Sequence, residues 1–197
     1  MTRLSPLAIE HSPELREHFN FFVGTLGFVP NSVLTMQRRP KLVKALAALN
    51  GAVMDPDGEV DLGFRRLVGH FASKAAGCQY CMAHTVLGAK NFGIDEARLD
   101  ALWDYANSPL FTDAERVAME FASAAARIPN AVTDDLFGRL REHWTDNQIV
   151  ELLGVVALFG FLNRWNDTMA TPLESAPMAV GEKHLAPRGW SAGKHAR

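Results

Sequence analysis

Apolar residues repeat every three or four positions along most of the chain, which is the pattern of helices packed against a core. The clearest apolar stripe consists of Val60, Phe64, Leu67, Val68, Phe71 and Ala75. The same periodicity predicts helices over about residues 12–24, 30–40, 41–54, 60–75, 78–91, 95–106, 117–128, 133–143 and 145–167. Because no segment shows the alternation of a strand, the chain is predicted to be all-α.

Local signals mark several helix starts. Pro13 follows Ser12 as a first-turn proline, and the pairs Thr112/Glu115 and Thr145/Gln148 have the spacing of capping boxes. No low-complexity linker divides the sequence. We therefore predict one domain over residues 1–197, with an N-terminal arm over 1–18 and an irregular surface tail over 172–197.

A weak internal similarity occurs at an offset of 85 residues. Leu67, Gly69 and Ala72 match Leu152, Gly154 and Ala157, while Cys78 and Cys81 fall on Asn163 and Asn166. The matches arise by chance or mark a duplicated helix pair. Polar residues 163–167 close the last helix, where a structural role in satisfying its carbonyls is the first expectation and a pocket-lining role the second.

The composition is that of a soluble globular protein, with 48% hydrophobic and 21% charged residues. A formal net charge of −2 argues against a nucleic-acid-binding protein. The N-terminus lacks the apolar run of a signal peptide, and the apolar stretch 149–162 is shorter than a bilayer span. We expect a cytoplasmic protein without nucleic-acid or membrane partners.

The two cysteines carry the clearest chemical signal, because Cys78 and Cys81 stand at the start of a predicted helix with His84 one turn further on. At that spacing the sulfurs can reach disulfide distance. The helix dipole and the partner sulfur are expected to favour a thiolate. His84 and Thr85 lie on the face of Cys81, so a base or proton relay is at hand for attack on a peroxide or a disulfide.

A second polar stripe lies on the preceding helix and leads to the cysteines. It consists of Arg66, His70, Ser73 and Gly77. Arg66 or His70 is therefore a candidate to stabilise the thiolate or to bind an anionic substrate group. A solvated helix face is the alternative interpretation.

The cysteine pair has three other interpretations: a zinc site, a pair of inert thiols and a thioredoxin-like motif. A closed zinc site needs four ligands, and the sequence has no second Cys-x-x-Cys or His-x-x-x-His motif, so no metal and no cofactor is predicted. Inert buried cysteines are the plainest alternative. A thioredoxin-like fold is disfavoured because no βαβ pattern surrounds the motif.

Segments 75–85 and 158–167 of this chain resemble the carboxymuconolactone decarboxylase and AhpD-like alkylhydroperoxidase superfamily, in its peroxidase-related branch. The resemblance extends over roughly residues 19–174. It implies an all-helical bundle with a duplicated core, assembled into trimers or hexamers. It also implies that the cysteine pair reduces a hydroperoxide and is restored by a thiol reductant.

Carried over by position, Cys81 matches the cysteine that attacks peroxide and Cys78 the resolving cysteine. Two positions depart from the family pattern: Arg66 replaces a glutamate, and Thr85 replaces the relay histidine, with His84 one position earlier. Three hypotheses follow. They are a dithiol oxidoreductase, a non-redox decarboxylase or lactone-type enzyme that holds a carboxylate on Arg66 and His70, and a non-catalytic helical oligomer.

Overall fold

The computed structural model describes residues 2–196, and all regular secondary structure in that range is helical, with no strand, which confirms the predicted class. The helices are α1 Arg16–Leu26, α2 Asn31–Met36, α3 Pro40–Val53, α4 Leu62–Ala75, α5 Gln79–Asn91, α6 Glu96–Asp100, α7 Asp113–Ala125, α8 Asp134–Arg141, α9 Asp146–Met169 and α10 Ser175–Val180. Both predicted capping boxes form, at Thr112 with Glu115 and at Thr145 with Gln148. Helix α6 is shorter than predicted and gives way to a 3₁₀ turn at Leu102–Asp104.

Helices α4, α5 and α9 form the centre of the molecule. Helix α4 buries every residue from Gly63 to Ser73, and α5 buries Tyr80 to Ala89. Both helices pack against α9, and α7 covers the other side of α4. This arrangement places the junction between α4 and α5, and with it the cysteine motif, inside the core.

The close approach of α4 and α9 depends on Gly69. A Cβ built on this glycine would lie 2.5 Å from Cε2 of Phe159, whose ring is 5% exposed. We expect Gly69→Ala to lower the free energy of unfolding by about 1–3 kcal/mol, because overpacking outweighs the better helix propensity of alanine.

Urea denaturation measures the effect, with Gly138→Ala as the matched control. Nothing lies within 4 Å of a Cβ at Gly138, so this substitution is expected to stabilise by about 0.5–1 kcal/mol. Equal stabilisation by both alanines would contradict the close α4–α9 packing.

The C-terminal segment differs from the predicted irregular surface tail. Beyond α10, residues Gly181–Leu185 form a π-helical turn, and Leu185, Trp190 and His195 are buried. The Trp190 ring lies against Gly181, where a Cβ would approach it to 2.7 Å. Its Nε1 donates to the Gln79 carbonyl at 3.2 Å. Trp190 thus fixes the segment on the first turn of α5.

Helix α9 has 24 residues, and an 18-residue window within it has a mean hydropathy of 1.3, so length and composition alone would allow it to cross a membrane. In this fold it is the core helix that α4, α5 and α7 pack against. At the 85-residue offset, α4 aligns with α9, and α5 aligns with the end of α9 and the segment that leads into α10.

Candidate active site

The cysteine motif begins where the chain turns from α4 into α5. Gly77 takes a φ of 73°, a left-handed conformation that favours glycine, and Cys78 follows as the N-cap residue of α5. Cys81 lies one turn later in the same helix. The two cysteines are 3.4 Å apart, and both are free, buried thiols.

Burial dominates the ionisation of Cys81. It raises the pKa of this thiol well above its usual range, and a hydrogen bond with Cys78 raises the pKa further, whereas a hydrogen bond from Asn166 lowers it. The expectation that the helix dipole yields a thiolate is therefore wrong for the resting protein. Cys81 is a thiol until a base removes its proton.

Cys81 faces a cavity of about 50 Å³, room for a few water molecules or a small functional group. The apolar walls are supplied by Phe22, Leu26, Val33, Leu46, Phe159 and Leu162, among others. Polar atoms come from Arg66, Tyr80, His84 and Asn166. The amide Nδ2 of Asn166 donates to Cys81 Sγ at 3.4 Å, a contact that stabilises a thiolate.

Cys78 lies in different surroundings. Its sulfur, a carboxylate oxygen of Asp167 and a ring nitrogen of His195 all lie within 4.8 Å of one another. Three such donors are fewer than the four of a closed zinc site. Of the two cysteines, only Cys81 lines the cavity.

His84, which lines the same cavity as Cys81, is paired with the carboxylate of Glu174. Glu174 Oε2 lies 2.7 Å from Nε2 of His84, while its Oε1 accepts hydrogen bonds from the Tyr80 hydroxyl at 2.8 Å and from the backbone N–H of Asn31. The His84 ring stacks on Tyr80, with centroids 4.2 Å apart. When Nε2 carries the hydrogen that Glu174 accepts, Nδ1 becomes the basic nitrogen of the neutral ring.

Electrostatics determine the protonation states of Glu174 and Tyr80. Burial acts to raise the pKa of Glu174, but the attraction of His84 and hydrogen bonds from His84, Asn31 and Tyr80 outweigh burial and lower the pKa. Burial and the Glu174 charge raise the pKa of Tyr80 well above its usual range. At neutral pH Tyr80 is therefore a donor and Glu174 an ionised acceptor.

Arg66 lies in the cavity wall as a buried cation. Its stem rests on Gly88, where a Cβ would meet Cδ of Arg66 at 3.0 Å, and its guanidinium lies 5.4 Å from the centroid of the Phe92 ring. Burial and the charge of Arg65 lower the pKa of Arg66 to about 10, which leaves it charged at neutral pH. Within residues 2–196 it has no carboxylate partner, and its Nε has no hydrogen bond.

His70 and Thr85 are brought together outside this cavity. Burial lowers the pKa of His70 to about 4, and its Nδ1 lies 3.4 Å from the Met82 carbonyl and 3.3 Å from the Thr85 hydroxyl. Thr85 donates to the backbone carbonyls of Cys81 and Met82. Neutral His70 offers no charge to a thiolate, and the relay position of the resemblance is occupied by a structural hydroxyl.

Sequence reasoning missed Glu174 and His195, and it gave Asn166 and Asp167 a pocket-lining role only as the second expectation. Asn166 had a faint signal, since the 85-residue offset aligned it with Cys81, yet its helix-end position favoured a structural role. Glu174 and His195 lie in the segment predicted to be irregular, and Asp167 was grouped with helix-end residues. No local pattern connects them with the cysteines, because the contacts span 85 residues or more of the chain.

Comparison with known proteins gives a consistent result. A model of the carboxymuconolactone decarboxylase family matches residues 40–124. The apo structure of the debrominase Bmp8 has a TM-score of 0.87 and 30% identity, covering 93% of this chain and 98% of Bmp8. A cysteine-to-alanine variant of Bmp8 in complex with 2,3,4-tribromopyrrole has the same TM-score at 29% identity, covering 93% and 97%.

Two further matches are a solved structure with the same fold and a sequence relative. The alkylhydroperoxidase AhpD core of an uncharacterized peroxidase-related protein from Ralstonia eutropha has a TM-score of 0.78 and 24% identity, covering 89% of this chain and 94% of that one. The uncharacterized protein YnjA of Escherichia coli is 32% identical over 110 residues, which are 56% of this chain and 60% of YnjA. Residues 40–124 thus belong to the carboxymuconolactone decarboxylase family, and the chain has the fold of Bmp8 and of the AhpD core.

Proposed function

We propose that the protein is a dithiol oxidoreductase that reduces a small hydroperoxide at Cys81, with Cys78 as the resolving cysteine. The observation that carries the proposal is the placement of a free thiol pair with only Cys81 in the cavity, next to the His84–Glu174 pair. The family pattern has a glutamate at the position that Arg66 occupies here, and Glu174 takes the role of that glutamate. The cavity of about 50 Å³ suits a peroxide group better than a bulky substrate.

The first step needs a base, because burial keeps Cys81 protonated. His84 takes the thiol proton, Glu174 stabilises the imidazolium, and Asn166 donates to the sulfur. The thiolate then attacks the terminal peroxide oxygen. The S–O bond forms, the O–O bond breaks, and the departing alkoxide takes the proton from His84, which leaves an alcohol and Cys81 sulfenic acid.

The second step closes the disulfide. The Cys78 sulfur attacks the Cys81 sulfur, the S–O bond breaks, and water leaves with the Cys78 proton. An external thiol reductant then restores both thiols by exchange. The sum is the reduction of one hydroperoxide to an alcohol and water by two thiols.

Reductive debromination is a second candidate, favoured by the likeness to Bmp8 over 93% of this chain. In that reaction the Cys81 thiolate takes bromine from carbon, the carbon takes a proton, and Cys78 displaces bromide to form the same disulfide. Both reactions oxidise two thiols for each substrate molecule.

The substrate test adds one equivalent of tert-butyl hydroperoxide or of 2,3,4-tribromopyrrole to the reduced protein and counts thiols against product. We expect two thiols lost for each product formed. The non-redox decarboxylase or lactone-type enzyme predicts a different result. Enzyme activity would be unchanged in Cys78→Ser and Cys81→Ser and lost in Arg66→Ala. Complete survival of the thiols without product would identify the non-catalytic oligomer.

We further propose that Arg66 binds an acidic group of the substrate, because a buried cation without a carboxylate partner is costly until an anion binds. Arg66→Ala is expected to raise KM for a carboxylate-bearing alkyl hydroperoxide about 10- to 100-fold, the loss of a charged hydrogen bond. KM for its methyl ester should change little.

Steady-state kinetics with acid and ester measure the effect. Arg66→Lys is the matched variant, since it keeps the charge but loses the planar fork, and we expect an intermediate KM. An equal rise in KM for acid and ester in Arg66→Ala would contradict an anion site.

We also propose that the chain forms the homo-oligomer implied by the resemblance through the outer face of α9. Val150, Leu153 and Phe161 are 70%, 47% and 38% exposed on this face, and the exposed small residues Ala157 and Gly160 permit close helix approach. An apolar stripe of this kind is typical of a subunit interface.

Light scattering tests the assembly. Leu153→Glu is expected to lower the mass to that of the monomer at micromolar concentration, because it places a charge in the apolar interface. Val23→Glu, at a position 43% exposed on α1, is the control and should keep the wild-type mass. A monomeric wild-type protein would contradict the proposal.

A further inference from the structure

The C-terminal segment packs on the first turn of α5 and places His195 near Cys78. The carbonyl of His195 accepts a hydrogen bond from the Leu173 N–H at 2.9 Å, and the His195 side chain is fully buried. The disulfide-forming cysteine therefore lies against a residue supplied from the far end of the chain.

The hydrogen bonds of His195 fix which ring nitrogen is basic. Nδ1 lies 2.8 Å from the Thr171 carbonyl, and a carbonyl only accepts, so Nδ1 carries the hydrogen. Nε2 is left with its lone pair, and it is buried without a hydrogen-bond partner among residues 2–196. Nε2 lies 3.9 Å from the Asp167 carboxylate, in the cluster that includes the Cys78 sulfur.

We propose that His195 is the general base that deprotonates Cys78 when the disulfide closes, with Asp167 stabilising the imidazolium. This inference rests on the proposed dithiol reduction and assigns one of its steps. The Cys78 proton moves to Nε2 of His195, and the Cys78 sulfur attacks the sulfur of Cys81 sulfenic acid. The S–O bond breaks, and the departing hydroxide takes the proton from Nε2 as water.

The surrounding charges are compatible with this transfer. Burial lowers the pKa of His195, the Thr171 carbonyl and Asp167 raise it, and Lys194 and His84 lower it. Lys194 is itself paired with Asp167 at 2.8 Å. Tyr80, whose ring centroid lies 5.8 Å from that of His195, stays protonated. His195 is thus neutral before the reaction and faces a carboxylate when it gains a proton.

A single-turnover experiment separates this step from the first. One equivalent of tert-butyl hydroperoxide is added, and dimedone capture with mass spectrometry follows Cys81 sulfenic acid and the disulfide from pH 6 to 9. In His195→Asn, which keeps a donor for Thr171 but has no base, Cys81 oxidation should be unchanged. Disulfide closure should slow at least tenfold at pH 7 and approach the wild-type rate at high pH, where hydroxide from solution replaces the missing base.

Two further variants control for packing. His184→Asn removes another buried histidine of the same segment, paired with Asp100, and should close the disulfide at the wild-type rate. Asp167→Asn leaves His195 in place and should slow closure less, about threefold at pH 7, even if His195→Asn is unstable.

Disulfide closure at the wild-type rate and with the wild-type pH profile in His195→Asn would overturn the inference and leave the proposed function standing. Absence of Cys81 sulfenic acid and of the disulfide in the wild type and in every variant would contradict both the inference and the proposed function. Binding of one equivalent of zinc that protects Cys78 from oxidation, and that is lost in His195→Asn, would also overturn the inference. The three donors would then be metal ligands.

Discussion

Cys81→Ser is expected to lower kcat/KM for substrate reduction at least about 10³-fold, the scale seen when a catalytic nucleophile is removed. A serine hydroxyl is not oxidised by a peroxide, and Cys78 cannot substitute because it does not line the cavity. Stopped-flow assays with excess thiol reductant measure the loss.

Cys78→Ser is the matched variant, and its behaviour differs in kind. Without added reductant Cys81 is oxidised once, so a burst of one product per chain should remain, and the reaction then stops at the sulfenic acid. Cys81→Ser activity within tenfold of wild type would place the reaction elsewhere in the molecule.

Glu174→Gln should damage both stability and catalysis. The carboxylate accepts from Tyr80 and from the Asn31 backbone and pairs with His84, all in a buried setting. Loss of its charge is expected to cost about 2–4 kcal/mol of unfolding free energy. The rate of Cys81 oxidation should fall about 10- to 100-fold, because the His84 imidazolium loses its counter-charge.

The same carboxylate sets a pH dependence of stability. Because the folded state lowers the pKa of Glu174 below its ordinary value of 4.5, its contribution is fully present above pH 4.5 and is lost as pH falls through the folded pKa. Melting temperatures from pH 7 to pH 3 should fall more steeply for wild type than for Glu174→Gln. Parallel curves would contradict the role of Glu174 in the folded state.

Tyr80→Phe is the control for this pair of measurements. It removes one hydrogen bond to Glu174 but leaves the carboxylate with His84 and the Asn31 backbone. Its effect on stability should therefore be smaller, about 1 kcal/mol, with the rate of Cys81 oxidation reduced less than in Glu174→Gln.

Local patterns predicted the helices well because helix periodicity and capping boxes depend on residues only three or four positions apart. Both Thr–Glu and Thr–Gln boxes formed as spaced, and the stripe through Phe64 and Phe71 became the buried α4. The C-terminal segment was predicted wrongly, because its prolines and glycines suggested loop and its order comes from the packing of Trp190 on Gly181.

The candidate site was predictable only in its local half. Cys78, Cys81 and His84 share one helix, so their proximity follows from spacing alone. Glu174 and His195 reach them from residues 90 and more positions later, and no local spacing encodes such contacts. The resemblance implies a carboxylate at the position of Arg66. In the structure the carboxylate paired with His84 is Glu174, a contact that matching by sequence position does not reveal.

The most direct test of the account is mass spectrometry of the peptides that contain Cys78 and Cys81 after one equivalent of tert-butyl hydroperoxide. We predict one intramolecular Cys78–Cys81 disulfide per chain, formed together with one equivalent of tert-butanol and reversed by excess thiol. Both cysteines recovered as free thiols, with the hydroperoxide unconsumed, would contradict it.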